Sequence, residues 1–233
     1  MTDRLILVRH GVTVWNLEGR FQGHRDPPLA AEGEAEGRLL AERLAADPQE
    51  RPARIVSSPL RRAARTAEFI VAAVADGPEA GAPELVLDQR LVEIGQGEWE
   101  GRTHAELAET DSDSYAAWRR ARGLREPPGG EPLAAAMVRV REAIDELTAD
   151  GPWPLCLVSH GGTLRLAAGL LLRTDPGRAM AFDLDNASVS ILSRQSGESG
   201  SGAWRIERWN DAGHLLGRAP LHVDEADGQP LAL

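Results

Sequence analysis

Two His-Gly pairs lie far apart in the sequence, and each follows a short apolar run. Residues 5–11 read Leu-Ile-Leu-Val-Arg-His-Gly, and residues 155–161 read Leu-Cys-Leu-Val-Ser-His-Gly. Continuous apolar runs of this length are typical of buried parallel strands, and ligands bind outside the carboxyl ends of such strands. We therefore expect His10 and His160 to face one crevice. A histidine beside Arg9 could attack phosphorus while the guanidinium holds phosphate oxygens; the alternative is a turn residue without chemical role.

A second group of polar residues opens the next long helical pattern. Ser58 and Pro59 have the types preferred at the N-cap and the first helical position, so we expect Ser58 to cap this helix. Arg61, Arg62 and Arg65 follow within two turns. Because the helix dipole opposes cations at this end, the pattern favours an arginine that turns toward an anion at the strand ends. A solvated helix face is the alternative for each arginine taken singly.

Transfer of a phosphoryl group from an alcohol also needs a proton donor for the leaving oxygen. Glu93 follows the third predicted strand, and Glu98 and Glu100 in the same run are rival candidates on sequence alone. His160 and Gly161 begin a helix, where free backbone N–H groups favour an anion. Metal-ligand spacings such as H-E-x-x-H or C-x-x-C and a Gly-rich phosphate loop are not found, so we expect no metal and no cofactor.

Composition limits the class of partner. The chain has 233 residues, 42% of them hydrophobic, and a formal net charge of −10. These values fit one α/β domain and argue against a nucleic-acid or anionic-membrane partner. All 26 cationic side chains are arginine, so no lysine is present as base or phosphate ligand. Cys156 is expected to be a buried thiol without a disulfide, and no signal peptide or membrane span is apparent, so we expect a cytoplasmic protein.

Strands and helices are predicted to alternate along the chain. Strand candidates cover 5–9, 54–57, 85–88, 155–159, 188–192 and 204–208, and helical patterns cover 30–46, 59–76, 132–149 and 161–173. This alternation predicts an α/β fold with a mainly parallel central sheet. Residues 99–131 interrupt it and are expected to form a small helical insertion over the active site. We expect one domain over 1–210, a hairpin-like loop at 195–202 and a loosely ordered tail over 211–233.

Five motifs, taken together, resemble those of a known family. In chain order they are Leu7-Val-Arg-His-Gly-Val-Thr-Val-Trp-Asn16, Gly19-Arg-Phe-Gln-Gly-His-Arg-Asp26, Ser57-Ser-Pro-Leu-Arg-Arg-Ala-Ala-Arg-Thr-Ala67, Glu93-Ile-Gly-Gln-Gly-Glu-Trp-Glu-Gly101 and Ser159-His-Gly-Gly162. A lone Arg-His-Gly is a weak signal, whereas five ordered motifs are a specific one. From about residue 4 to 210 the chain resembles the histidine phosphatase superfamily, in its phosphoglycerate-mutase-like branch.

The resemblance implies a three-layer α/β/α sandwich and a phosphohistidine intermediate formed without a metal. Matched by position, His10 is the nucleophile and Glu93 the proton donor. The remaining phosphate-pocket and substrate-binding positions are Arg9, Arg62, His160, Asn16, Gln22, Gly23 and Gly161. Arg62 is preferred over Arg61 because the family's arginine directly precedes the Ala of an Arg-Ala pair. Asn186 matches a position before a late strand, with a less defined role.

The branch contains phosphatases and cofactor-dependent mutases. Mutases resemble Glu-Arg-His-Tyr-Gly after the proton donor and use a lysine for the substrate carboxylate, whereas this chain has Ile94-Gly95 and no lysine. The chain therefore resembles the phosphatases that hydrolyse a small phosphorylated metabolite. Arg119 and Arg120 resemble a mutase pattern that holds a carboxylate, with a solvated helix face as the alternative. A phosphoglycerate mutase, a phosphoprotein phosphatase and a non-catalytic phosphate-binding protein stay as alternatives, and a homodimer stays open.

Overall fold

The computed structural model describes residues 2–77, 81–121, 123–195 and 202–216. The strands are β1 (Thr2–Arg9), β2 (Arg54–Ser57), β3 (Glu84–Leu87), β4 (Leu155–Ser159), β5 (Val189–Gln195) and β6 (Arg205–Asp211). The α-helices are α1 (Val14–Leu17), α2 (Ala31–Ala46), α3 (Arg61–Ala75), α4 (His104–Thr110), α5 (Ser112–Arg120), α6 (Leu133–Leu147), α7 (Gly161–Leu171) and α8 (Pro176–Ala179). Short 3₁₀ turns cover Gln89–Leu91, Gly97–Trp99 and Gly213–Leu215.

The strands form one sheet in the order β3-β2-β4-β1-β5-β6. The first four are mutually parallel, and β5 and β6 are antiparallel to their neighbours. This arrangement confirms the predicted α/β fold with a mainly parallel sheet. Arg9 of β1 lies opposite Ser159 of β4 in the register. The residues that follow them, His10 and His160, therefore leave two adjacent strands at the same edge of the sheet.

Helices cover both faces of the sheet, which confirms the three-layer sandwich. Along β1, Leu5 and Leu7 pack in the cluster that contains α6 and α7. Ile6 and Val8 point to the other face and pack in the cluster that contains α2 and α3. Successive side chains of a strand alternate between faces, so a run of four apolar residues is buried on both sides. The free thiol of Cys156 is buried there, and burial raises its pKa.

The insertion has a small aromatic core of its own. Its helices α4 and α5 and the 3₁₀ turn before them pack around one cluster, formed by Phe21, Trp99, Leu107, Tyr115 and Trp118. The backbone of Phe21 is also hydrogen-bonded to the insertion, through Gly101 and Arg102. The insertion therefore packs against the segment that follows β1 and carries Gln22 and Gly23.

Some local expectations differ from the structure. Helix α3 begins at Arg61, two residues after the predicted start, and Ser58 does not cap it. The last predicted strand continues to Asp211, and a 3₁₀ turn over Gly213–Leu215 follows it. Residues 196–201 of the predicted loop and 217–233 of the predicted tail lie outside the described residues. Within the described ranges, no helix combines the length and the apolar character that a bilayer span requires.

Candidate active site

His10 and His160 lie side by side at the carboxyl ends of β1 and β4. Their ring centroids are 5.1 Å apart and the rings are inclined by 61°. Both side chains are buried, at 3% and 0% exposure. The backbone N–H of His10 donates to the Ser159 carbonyl at 3.0 Å, which extends the strand pairing by one residue. The two histidines expected to lie together at the strand ends are therefore brought into contact.

The hydrogen bonds define the tautomer of each ring. Nδ1 of His10 lies 2.7 Å from the Gly11 carbonyl, which only accepts, so Nδ1 carries the proton and Nε2 has a free lone pair. At His160, Nδ1 accepts from Nε of Arg62 at 3.2 Å, and Nε2 donates to Oγ of Ser58 at 2.8 Å. His160 is therefore neutral and held at both nitrogens, while Nε2 of His10 has no hydrogen-bond partner among the described residues.

The surroundings keep both rings uncharged. Burial, followed by the positive charges of Arg62 and Arg9, lowers the pKa of His10 well below 6.5. Burial and Arg62 likewise lower the pKa of His160 well below 6.5. A cationic, desolvated site disfavours a further positive charge. Both rings are thus neutral across the physiological pH range.

Among the three arginines at the start of α3, one points into the site. Arg62 is fully buried, and besides His160 its guanidinium donates to the carbonyls of Gly23 (2.9 Å) and Arg25 (2.8 Å). Burial lowers its pKa to about 10, so it stays charged at neutral pH. Arg61 and Arg65 are exposed at the surface, and Arg65 pairs with acidic side chains there. The preference for Arg62 over Arg61 therefore agrees with the geometry.

Arg9 and Gly161 flank the two rings. Nη1 of Arg9 donates to the Leu184 carbonyl at 2.5 Å, and its Nε is buried without a partner in the described part of the chain. Gly161 is the first residue of α7. Its backbone N–H has no acceptor among the described residues. A guanidinium and a helix N-terminal N–H beside His10 are suitable donors for phosphate oxygens.

Glu93 lies at the N-terminus of α7, next to the histidines. Oε1 accepts from the N–H groups of Ile94 (2.8 Å) and Thr163 (3.1 Å), and Oε2 accepts from Gly162 N–H (3.2 Å). Backbone N–H groups therefore hold both oxygens of the Glu93 carboxyl group in place at the start of α7. The rival candidates have other positions: Glu98 is exposed, and Glu100 accepts from the N–H groups of His24 and Gln96.

The remaining predicted substrate-binding residues lie in the segment after β1. Asn16 Oδ1 accepts from the N–H and the hydroxyl of Thr13, and Gln22 Oε1 lies 3.1 Å from the same hydroxyl. The amide nitrogens of both side chains have no hydrogen-bond acceptor among the described residues. Gly23 has φ of +50°, and a Cβ there would lie 2.2 Å from Oε1 of Glu100. Only glycine therefore allows its carbonyl to reach Arg62.

Three residues support the site without having been assigned to it from the sequence. Ser58 holds His160 by Nε2. Arg139 of α6 donates to the carbonyls of Arg90, Val92 and Glu93, and so fixes the loop that carries Glu93. Asn186, whose role was undefined, donates from Nδ2 to the His10 carbonyl at 3.0 Å. Ser58 and Asn186 lie in motifs noted from the sequence, whereas Arg139 had no such signal because backbone carbonyls have no sequence signature.

No metal site accompanies these groups in the ranges that the structure covers. No set of three or more His, Cys, Asp or Glu side chains is placed there to hold a metal ion. The assembled groups are instead one neutral imidazole with a free nitrogen, two guanidinium groups, free N–H donors and one carboxyl group. That set can bind a tetrahedral anion and exchange a phosphoryl group and a proton with it.

Comparison with known proteins agrees with this chemistry. The family model described as "Histidine phosphatase superfamily (branch 1)" matches residues 5–212. Phosphoserine phosphatase 1 of Hydrogenobacter thermophilus is 34% identical over 191 residues, covering 81% of this chain and 85% of the relative. A probable phosphoglycerate mutase, GpmB, of Salmonella paratyphi C is 33% identical and covers 91% and 94%.

A solved structure gives the same result at the level of the fold. Mycobacterial glucosyl-3-phosphoglycerate phosphatase in complex with VO3 superposes with a TM-score of 0.75 at 32% identity, covering 89% of this chain and 99% of the other. The family match over nearly the whole chain agrees with the five motifs and with the clustered histidines and arginines. This chain belongs to branch 1 of the histidine phosphatase superfamily.

Proposed function

We propose that this phosphoric monoester hydrolase cleaves small phosphate monoesters in two steps through a phosphohistidine on Nε2 of His10. The observation that carries the proposal is the Nδ1–H bond to the Gly11 carbonyl, which leaves Nε2 as a lone-pair nitrogen in a buried cationic pocket. Relatives named as phosphatases support hydrolysis as the overall reaction.

In the first step, the lone pair of His10 Nε2 attacks phosphorus and the ester P–O bond breaks. The leaving alkoxide takes a proton from Glu93, which enters this step protonated. Arg9, Arg62 and the Gly161 N–H donate to the three equatorial oxygens, whose negative charge spreads in the transition state. Fixed donors in a buried site stabilise that charge without having to reorient during the reaction.

In the second step, the roles reverse. Glu93, now a carboxylate, takes a proton from a water molecule whose oxygen attacks phosphorus, and the P–N bond breaks. His10 recovers its neutral ring and inorganic phosphate leaves. The three backbone N–H donors around Glu93 stabilise the carboxylate that acts as base here.

The first experiment measures phosphate release from a panel of monoesters in the presence of a chelator, with His10→Ala as control. We expect metal-independent release that the substitution abolishes, and an acid-labile, alkali-stable phosphoenzyme after rapid quenching. Activity that persists in His10→Ala would contradict the mechanism. Conversion of 3- to 2-phosphoglycerate upon addition of a bisphosphoglycerate primer, without phosphate release, would instead identify a mutase.

The same panel separates the remaining substrate classes. Phosphoserine and 3-phosphoglycerate test small metabolites, and a phosphoserine-containing peptide tests a protein substrate. We propose the small metabolites, because phosphoserine and glucosyl-3-phosphoglycerate in the relatives' names are small carboxylated phosphoesters. A rate on the peptide equal to that on free phosphoserine would favour the phosphoprotein alternative.

Arg119 and Arg120 are the candidates for recognising such a carboxylate. Both are exposed and occupy the last turn of α5 in the insertion. We expect the double substitution Arg119→Ala/Arg120→Ala to reduce the preference for 3-phosphoglycerate over a neutral phosphoester. Arg141→Ala/Arg178→Ala is the matched control, since both arginines are exposed and lie on helices outside the insertion. An unchanged preference would assign Arg119 and Arg120 to a solvated helix face.

A further inference from the structure

A buried arginine of α7 has no part in the reaction described above. Arg165 is 2% exposed, and its Nε donates to the Phe182 carbonyl at 2.6 Å. Nη1 is buried and has no hydrogen-bond acceptor among the described residues. Burial, followed by the positive charge of Arg9, lowers the pKa of Arg165 to about 10. Apolar side chains often replace buried charges without loss of stability, so packing alone does not account for an arginine here.

Arg165 and Arg9 lie against the same small residue. A methyl group built on Gly161 would lie 3.5 Å from Nη1 of Arg165 and 3.6 Å from Nε of Arg9. Arg165 is one helical turn beyond Gly161, so the two residues share a face of α7. Nη1 of Arg9 binds the carbonyl of Leu184, two residues after Phe182. The guanidinium groups of Arg9 and Arg165, which both lie beside Gly161, therefore hold two carbonyls of one loop.

That loop, residues 180–188 between α8 and β5, supports the nucleophile. Nδ2 of Asn186 donates to the His10 carbonyl at 3.0 Å, and the N–H of Ala187 donates to the same oxygen at 3.1 Å. On the β6 side, Nε1 of Trp209 donates to the Asp183 carbonyl at 2.7 Å. The loop is thus a short bridge from the buried arginines to the backbone of His10.

We propose that Arg165 is a positioning residue of the phosphoryl-transfer site. Together with Arg9 it fixes the 180–188 loop, and it sets both the orientation of the Arg9 guanidinium and the place of His10. This inference rests on the proposed roles of His10 and Arg9. The role assigned to Arg165 acts through Arg9 and this loop, since its hydrogen bond among the described residues goes to the Phe182 carbonyl.

The charges around Arg165 fit this role. Two guanidinium groups in a buried environment repel each other, and Glu93, Asp183 and Asp185 offset that repulsion. Because both cations share Glu93 and Asp185 as acidic neighbours, a small shift of Arg165 changes the balance of charge at Arg9. Displacement of a catalytic group by about 1 Å costs on the order of a hundredfold in rate. We therefore expect a change at Arg165 to weaken stabilisation of the transition state more than ground-state binding of the substrate.

The test compares wild type with Arg165→Met, which removes the charge and the Nε donor but keeps an unbranched side chain. With p-nitrophenyl phosphate we expect kcat to fall about tenfold or more while KM changes by less than about twofold. The inhibition constant of orthovanadate, a transition-state mimic, should rise by about the same factor as kcat falls. The inhibition constant of inorganic phosphate should change by less than about twofold.

The ratio of the two inhibition constants separates positioning from loss of folded protein, because unfolding removes active sites without changing either constant. Arg194→Met is the matched control: this arginine is also largely buried and holds a carbonyl, that of Thr148 at 2.5 Å, without contacting the site. It should leave the ratio unchanged. Arg165→Lys keeps the charge without the Nε–H donor, and we expect it to raise the vanadate constant as well.

Each outcome is decisive. An unchanged ratio in Arg165→Met, or in Arg165→Lys if the methionine variant does not fold, would overturn the inference while leaving the proposed function intact. The same change in Arg194→Met would also overturn it, because the effect would then follow from any buried arginine. Wild type without hydrolysis, or without a phosphohistidine, would contradict the proposed function and this inference together.

Discussion

Substitution of Glu93 by glutamine gives the sharpest test of the acid–base assignment. Glutamine keeps the size of the side chain but can neither supply the leaving-group proton nor accept one from water. One amide oxygen can still accept from the Ile94 and Thr163 N–H groups. The amide nitrogen then faces the N–H of Gly162, where the carboxylate oxygen had accepted at 3.2 Å, and two donors meet.

The size of the effect follows from the two roles. Loss of a positioned general acid costs about 10² to 10⁴ in rate, or about 3–5 kcal/mol, for a substrate whose leaving group needs a proton. Because p-nitrophenolate is a stable anion that leaves without a proton, the rate of its release should be nearly unaffected. The unmatched donor pair at the N-terminus of α7 should cost about 1–3 kcal/mol of folding free energy.

The assay compares kcat/KM for an alkyl phosphate with that for p-nitrophenyl phosphate, because kcat/KM reports only the steps up to the phosphoenzyme. Glu93→Gln should lower the alkyl value by at least about a hundredfold and leave the aryl value within about threefold. Burst kinetics with the aryl ester should show rapid phosphorylation and slow release, since the base of the second step is missing. Glu98→Gln, exposed in the same loop, is the control.

Equal losses on both esters would contradict the proton-donor role of Glu93, because a misplaced nucleophile affects every leaving group alike. Equal losses together with a normal vanadate affinity would transfer the proton role to another group. A loss in Glu98→Gln of the same size would show that the loop, and not the Glu93 carboxyl group, limits the rate.

Three further predictions follow from burial and close packing. The ring ¹⁵N shifts of His10 should show a neutral imidazole at pH 6, because burial and two guanidinium groups hold its pKa well below 6.5; a midpoint near 6.5 would contradict this. Burial lowers the pKa of His104 to about 4, so its contribution to stability is complete above pH 6.5 and is lost as the pH falls toward 4. The unfolding free energy should change there by about 1.4 kcal/mol per pH unit, and His104→Gln should reduce this slope in chemical denaturation. Gly33→Ala would place a methyl group 2.0 Å from the Val12 carbonyl oxygen and should lower the melting temperature more than Gly37→Ala, which meets the movable ring of a phenylalanine at 2.7 Å; equal losses would contradict the steric argument.

The strand ends and their motifs could be predicted because they depend on local patterns. A parallel strand buried on both faces must be a continuous apolar run, and its end is where polar residues begin. The choice among the arginines of α3 also has a local signal. Arg62 shares the buried face with Ala63, Thr66 and Ile70, at the spacing of successive helical turns. The sequence did not reveal which strands are neighbours, since pairing of β1 with β4 joins residues about 150 apart.

Ser58 shows where local reasoning was wrong. Its type and the following Pro59 predict a helix cap, yet α3 begins at Arg61 with Leu60 at the N-cap position. The Ser58 hydroxyl instead accepts from Nε2 of His160, more than a hundred residues away. A buried imidazole N–H left without a partner costs about 1–3 kcal/mol, more than the about 1 kcal/mol typical of a cap. The hydrogen bond from His160 to Ser58 therefore stabilises the fold more than Ser58 would by capping α3.

The arginines share a use that no motif describes. Arg9, Arg62, Arg139 and Arg165 each donate to backbone carbonyls of loops that carry or support the site. Every residue has the same backbone carbonyl, so the sequence does not show which carbonyl accepts these bonds. The arginine that donates them can be seen in the sequence. Arg165 stands in α7, where nearly every residue is buried, and a cation there interrupts an apolar pattern without surface access. A planar guanidinium with five donors can hold several carbonyls at once, which an ammonium on a flexible stem cannot do with the same geometry. An isolated arginine inside an apolar helix is therefore a signal for a loop that must be fixed, even when the loop cannot be identified from the sequence.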